Sequence, residues 1–248
     1  MKALVLTYDR CRRVAEHMLK TYAVYWPQNR FTFRIAYQQD TDLDAYGQSV
    51  ELVKTRTSEV KDIVYSLLAG LPDDEWIYWC IDDKYLIGID QDSASYFYDW
   101  ISQVNDPTIC GLCFCRARTL LRPESASVTA MAYTARGDEL LLRYNYRQIW
   151  LHQFLRVRAL RALFDAFPES VRTPSEMDEY KLKVKIPDDR NLYVTKNNYA
   201  VFGESTIAGN LTRGCVSSMR KLSVAVPENF EIVEPDIVIG SLGTIVGE

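Results

Sequence analysis

A chain of 248 residues with a formal net charge of −4 and a pI near 5.4 lacks the basic face that phosphate-backbone binding needs, which excludes a nucleic-acid partner. No apolar run approaches the ~20 residues of a membrane helix. The stretch Ala3–Leu6 behind Lys2 is too short for a secretion signal, which points to the cytoplasm, and six cysteines are too few for a disulfide framework at this length.

In chain order, Ala3–Tyr8 is a first strand that turns polar at Thr7-Tyr8-Asp9-Arg10. Val14, Met18, Leu19 and Tyr22 then mark one face of a helix over Arg12–Tyr22, which carries His17 as a surface or half-buried imidazole. Phe31–Tyr37 is a second strand ending at Gln38-Gln39-Asp40, and Glu51–Lys54 a short third one ending at Thr55-Arg56-Thr57-Ser58. Ser58 is the expected N-cap of a helix that runs to Leu68 and stops at Gly70 and Pro72. Trp76–Ile81, aromatic and β-branched throughout, reads as a strand buried on both faces and closed abruptly by Asp82-Asp83.

Beyond it, Tyr96, Phe97, Trp100, Ile101 and Val104 stripe a helix over Asp92–Val104. Thr108–Arg116 is a strand that puts Cys113 and Cys115 on one face and Cys110 on the other, a pattern of core thiols rather than a zinc site. Val128–Ala135 and Glu139–Tyr146 form a hairpin turning at Arg136-Gly137-Asp138. Trp150–Phe167 has helical spacing and ends at Pro168. Lys181–Ile186, Leu192–Val194 and pieces of Phe230–Val246 read as short strands, and Asn197–Arg213 as a glycine-punctuated functional loop.

Strand and helix alternate through the first half, which predicts an α/β fold: a mostly parallel sheet with helices on both faces and a smaller mixed second half. We expect a single domain over 1–248, made of a nucleotide-binding half (1–116) and an acceptor-side half (117–248) with a flexible loop at about 197–213. Parallel crossovers bring Thr7–Arg10, Asp40, Arg56–Ser58 and Asp82-Asp83 to one rim, where an open α/β sheet keeps its ligands.

An extended backbone sends Asp82 and Asp83 to opposite sides, so one can ligate a hard cation carrying phosphate oxygens while the other reaches a neighbouring part of the ligand. A solvated turn at a strand end is the alternative for the same doublet. A nucleoside diphosphate fits the rest of the rim, since Tyr8 can stack, Asp40 can read a base edge or ribose, and Arg56 can hold base or phosphate. Neither a Gly-x-Gly-x-x-Gly after the first strand nor a Gly-x-x-x-x-Gly-Lys-Ser/Thr is present, which counts against a dinucleotide Rossmann site and a P-loop.

Ile81-Asp82-Asp83, with Thr7-Tyr8, Asp40 and Arg56-Thr57-Ser58 in the preceding loops, resembles the GT-A class of nucleotide-sugar glycosyltransferases, whose acidic motif ends a central strand. The resemblance implies a GT-A-like fold, a UDP-sugar donor, an unknown acceptor and a Mn²⁺ or Mg²⁺ cofactor. It makes Asp83 the direct metal ligand and Asp82 the ribose or donor-sugar contact and second candidate ligand, with Thr7, Tyr8, Arg10, Asp40, Arg56 and Ser58 around the nucleotide. Lys84 reads as an exposed lysine behind the doublet. The resemblance assigns acceptor binding and closure to the second half, where Trp150, His152, Gly203 and Ser205 are the candidates; for His152 the readings are a metal ligand, an acceptor contact and, ahead of both, an ordinary helix N-terminal histidine. Asp138, Glu139 and Glu204 are candidate catalytic bases, and nothing in the sequence singles one out. The competing readings are a non-catalytic nucleotide-binding protein and a nucleotidyltransferase. The latter calls for a glycine-rich basic loop after the first strand, and Thr7–Arg13 contains no glycine.

Overall fold

A strand that is apolar at successive positions sends neighbouring side chains to opposite faces and has to be covered on both. The computed structural model, which describes residues 1–115, 132–143, 146–234 and 236–243, meets this demand with helices on each side of one large sheet. In order, the elements are β1 (Lys2–Leu6), α1 (Arg12–Tyr25), β2 (Thr32–Tyr37), β3 (Ser49–Lys54), α2 (Val60–Leu68), β4 (Trp76–Ile81), β5 (Lys84–Ile89), α3 (Gln91–Gln103) and β6 (Ile109–Cys113). The second half adds β7 (Ala132–Tyr133), β8 (Glu139–Leu142), β9 (Gln153–Arg156), α4 (Val157–Ala166), α5 (Pro174–Tyr180) and β10 (Asn191–Thr195). It closes with β11 (Ala200–Glu204), β12 (Thr206–Ile207), β13 (Asn210–Thr212), α6 (Arg213–Lys221), β14 (Ile232–Val233) and β15 (Val238–Ile239).

The fold is mixed α/β. The central sheet runs β3-β2-β1-β4-β9-β6-β10-β8-β7; its first four strands are mutually parallel, while β9, β8 and β7 pair antiparallel. Along β4, Tyr78 and Cys80 face a core made with α1 and α3, and Ile77, Trp79 and Ile81 face one made with α2 and α4. Each large side chain so buried contributes on the order of 1.5–3 kcal/mol. A second sheet, β15-β11-β5, branches off where the chain turns at Asp82-Asp83.

The parallel first half follows the sequence reading, and three stretches of the remainder do not. Trp150–Phe167 is not one helix: Gln153–Arg156 is a strand threaded between β4 and β6, and the helix starts only at Val157. Phe154 and Leu155 project to opposite cores, a demand that an amphipathic helix with a single apolar face cannot meet. Asn197–Arg213 is not a loop, because it folds into β11, β12, β13 and the first residue of α6. Lys181–Ile186 is not a strand but a turn over 181–183 with a single bridge residue at Lys185; before it lies α5, opened by a capping box in which Thr173 and Glu176 each bond the other's backbone.

Smaller differences are local. Ser58 is not the cap of α2; Glu59 precedes its first residue, and the Thr57 hydroxyl takes the Glu59 N–H at 3.1 Å. The hairpin at Arg136-Gly137-Asp138 is present with Gly137 at φ 92, but its strands are short, and 128–131 and 144–145 lie outside the described residues, as do Arg116 and 244–246 at the ends of other expected strands. Among the described residues no helix is long and apolar enough to cross a membrane.

Candidate functional site

Parallel pairing places the C-terminal ends of β1, β2, β3 and β4 on one rim, and hydrogen bonds knit the loops that emerge there. The Asp9 carboxylate accepts the backbone N–H groups of Gln38 at 2.9 Å, Gln39 at 2.8 Å and Asp40 at 3.1 Å. Those bonds, with Arg12 nearby, outweigh its burial and hold its pKa below the usual carboxylate range. Gln38 extends the network with its side-chain amide to the Thr55 hydroxyl at 2.7 Å. Asp9 is therefore the pin of the rim, a part that the sequence reading did not give it.

At the end of β4, Asp82 donates its N–H to Leu6 O at 3.2 Å. Its Oδ2 is buried without a hydrogen-bond partner, and the Thr7 hydroxyl faces the same carboxyl. Burial is the largest effect on the Asp82 carboxyl and Asp83 adds to it; together they outweigh Thr7, Cys11 and Lys84 and push the pKa up to about 7. Tyr8 is pushed up to about 12, by burial first and then by Cys11 and Asp82. Arg12, 3 % exposed, gives Nη2 to Asp40 O at 2.6 Å but leaves Nε and Nη1 buried and unpartnered. Its place three residues after Asp9 was the available signal for it, hidden because arginine in a helix usually faces water.

Asp83, Lys84 and Glu204 form a clamp. Lys84 is not an exposed lysine: its side chain is 6 % exposed, with Nζ 3.0 Å from Asp83 Oδ1 and 3.2 Å from Glu204 Oε1. Burial alone would lower the lysine pKa, but the two carboxylates reverse this and raise it. Glu204 is raised, chiefly by burial, against the pull of Lys84. The clamp is set by register, for Lys84 pairs with Glu204 and Tyr85 with Gly203 across β5 and β11. A Cβ on Gly203 would lie 2.4 Å from Tyr85 Cζ, so only glycine fits beneath that ring. Ser205 donates its N–H to Asp83 O, and its buried hydroxyl faces Cys215.

Behind the doublet, His152 is fully buried. Its Nε2 lies 2.9 Å from Ile81 O and its Nδ1 2.7 Å from the Tyr22 hydroxyl. A carbonyl can only accept, so Nε2 carries the proton and Nδ1 accepts from Tyr22. Burial lowers the His152 pKa to about 3, and a neutral ring so engaged is a strut beneath β4 rather than a helix N-terminal group. His17 is likewise buried rather than half-exposed, its Nε2 2.8 Å from the Ser218 hydroxyl.

Thr7, Tyr8, Asp82, Asp83, Gly203, Glu204 and Ser205 are thus brought together. The remaining expected residues are more dispersed. Arg10 lies over the Phe230 ring at 4.8 Å, and the exposed Asp40 uses its carboxylate to accept Asp42 N–H at 2.9 Å. The Arg56 side chain is 85 % exposed, 3.4 Å from Asp62, and Ser58 is exposed beside it. Trp150 donates Nε1 to Asp178 at 2.9 Å. Asp138 and Glu139 share the rim but stand at β8, four strands from β4, about 19 Å away at ~4.8 Å per strand. Among the described residues no group of three or more His, Cys, Asp or Glu is placed to close around a metal.

No protein-family model matches the chain and no curated protein matches it in sequence. Among solved structures it is similar to TarS from S. aureus (residues 1–349), at 12 % identity and a TM-score of 0.46 over 80 % of this chain and 59 % of that one. It is similar to the galactosyltransferase LgtC, in complex with donor and acceptor sugar analogues, at 10 % identity and 0.40 over 96 % and 86 %. A third is the Francisella tularensis 2-C-methyl-D-erythritol 4-phosphate cytidylyltransferase IspD, at 11 % and 0.38 over 78 % and 90 %. The chain spans about three fifths of that TarS fragment and 39 % of the longer TarS chain.

Proposed function

We propose that the protein is a glycosyltransferase that moves a sugar from a UDP-sugar donor to an acceptor hydroxyl, with the Asp82-Asp83 turn at the diphosphate. The observation that carries this is a set of buried polar atoms left without partners on the converging loops: Arg12 Nε and Nη1 and Asp82 Oδ2. Such atoms cost about 1–3 kcal/mol each when unpaired, and a nucleoside diphosphate with its hydroxyls, imide and phosphate oxygens is a ligand that satisfies both donors and acceptors. Trp76–Lys84 also looks like the matching stretch of majastridin, a small bacterial protein of GT-A-like fold.

The doublet suits a hard divalent ion, because Asp82 offers an unpartnered carboxylate oxygen and Asp83 keeps one oxygen clear of Lys84. Two carboxylates with the remaining ligands from phosphate and water is how Mg²⁺ is commonly held. Bound there, Mn²⁺ or Mg²⁺ would neutralise the charge gathering on departing UDP. Tyr8 and Arg12 line the nucleoside side, with Arg10, Asp40, Arg56 and Ser58 at its edge. Lys84 keeps the second sheet docked against the doublet. Glu204 is the carboxylate beside the clamp for taking a proton from the acceptor, its proton affinity raised by burial.

A second reading, nucleotide binding without turnover, is favoured by one observation: all three candidate bases are already paired, Asp138 with Arg136, Glu139 with Lys196 and Glu204 with Lys84. Thermal unfolding with UDP, with Mn²⁺ and with both tests the site. At about 100 times Kd a ligand adds about 2.7 kcal/mol, roughly 5–10 °C for a chain of this size. The expected result is a shift with both that exceeds either alone and loses its metal-dependent part in Asp83→Ala. No shift, or an unchanged shift in that variant, refutes the assignment. Release of UDP from UDP-glucose or UDP-N-acetylglucosamine separates turnover from binding alone.

A further inference from the structure

Four strands from the doublet, the same rim holds a cavity of about 260 Å³ lined by Arg136, Asp138, Glu139, Lys196, Asn197 and Tyr199. It lies between the β7–β8 turn and the end of β10, and its walls are held firmly. Asp138 accepts from the Thr134 hydroxyl at 2.7 Å, from Arg136 Nε at 3.0 Å and Nη2 at 2.9 Å, and from the Tyr199 hydroxyl at 2.8 Å. Arg136 also spans to Ser93 at 3.2 Å and lies 4.3 Å over the Tyr96 ring, tying the turn to the start of α3. A site whose side chains are locked by their own neighbours is pre-organised for a ligand.

The chemistry of the wall selects the ligand class. Its charges cancel in two ion pairs, Arg136 with Asp138 and Lys196 Nζ with Glu139 Oε2 at 2.7 Å, so neither an anion nor a cation is called for. What remains open is a mixture of both hydrogen-bonding senses. Asn197 Oδ1 is buried with no partner, while Glu139 Oε1 and the remaining Lys196 N–H groups make no bond among the described residues. Hydroxyl groups, which donate and accept at once, answer such a wall. Tyr133, 63 % exposed, sits directly across from Glu139 in the β7–β8 ladder. Directly opposed side chains lie about 4.5–5.5 Å apart at Cβ, which puts Tyr133 beside Glu139 but outside the lining itself. The volume lies below the ~300–1,000 Å³ of drug-sized sites, too small for a nucleotide and suited to a single ring.

We propose that this cavity is a carbohydrate subsite that grips one neutral sugar ring of a longer glycan, with Asn197, Glu139 and Lys196 bonding its hydroxyls. Its use as a remote hold on the acceptor chain rests on the transferase reading; the binding itself does not. Asp138 and Glu139 then serve recognition rather than proton transfer.

The test is saturation-transfer NMR and titration of the full chain with chitotriose, cellotriose and maltotriose. At least one trisaccharide is expected to bind, and Asn197→Ala and Glu139→Gln each to weaken it by five-fold or more, with unchanged melting temperature and unchanged UDP-dependent thermal shift. Asp83→Ala should bind the sugar as wild type does. Absence of binding by all three sugars, retention of affinity in both cavity variants, or loss in Asp83→Ala alone would overturn the proposal. Sugar binding without any UDP shift would instead sink the transferase reading and leave the subsite standing.

Discussion

Replacing Lys84 with methionine tests the clamp that joins the two sheets. Methionine keeps the buried stem and removes only the ammonium, so packing is largely conserved while Asp83 and Glu204 lose the charge between them, 3.0 and 3.2 Å from their oxygens. Breaking a fully buried pair costs about 3–5 kcal/mol because an uncompensated charge stays behind. Here the carboxylate side chains are 34 % and 21 % exposed, so water screens part of that loss and about 2–3 kcal/mol is expected near neutral pH. Urea unfolding should give that difference at constant m-value, and melting should fall by roughly 5–10 °C. Adding Glu204→Gln should recover part of it, with a coupling of about 1–2 kcal/mol in the double-mutant cycle. A Lys84→Met cost below about 0.5 kcal/mol, the range of an ordinary surface substitution, would refute the clamp.

Two further outcomes follow from the packing. Gly203→Ala drives a methyl to 2.4 Å from Tyr85 Cζ and should destabilise by about 1–3 kcal/mol; in Gly203→Ala/Tyr85→Ser the losses should be less than additive, and full additivity in urea unfolding would count against the contact. The two histidines, with folded pKa values lowered by burial to about 4 for His17 and about 3 for His152, are neutral inside but bind protons in the unfolded chain near 6.5. Their contribution is complete above pH 6.5 and is lost as pH falls toward 3–4, by up to about 3–5 kcal/mol each. Asp82, raised to about 7, works in the opposite sense over that window, so the histidine share is read as wild type minus His152→Gln. Parallel stability–pH curves for the two proteins would contradict the buried, neutral ring.

The first half of the fold was legible because each parallel strand is an apolar run closed by polar residues, and the parallel crossovers fix which loops meet. That same logic located Thr7, Tyr8, Asp82 and Asp83. The second half misled where local spacing imitates another element. Leu151 and Leu155 stand one helical turn apart, yet the residues between them cross the middle of a sheet. Gly203 suggests a loop, yet its missing side chain makes room for a ring on the neighbouring strand. Lys84 and Arg12 were hidden for a related reason. Charged residues are usually solvated, and only the tertiary pairing of β5 with β11, or of Asp9 with three successive amides, reveals that these two are inside.

The strand Gln153–Arg156 supplies both neighbours of its gap, β4 and β6, from a position far downstream of either. Until that segment has been synthesised, Trp76–Ile81 presents one row of unpaired amides and carbonyls to its surroundings, a template for pairing with other chains. Closure of the sheet is therefore a late, long-range event of the slow kind that high contact order imposes.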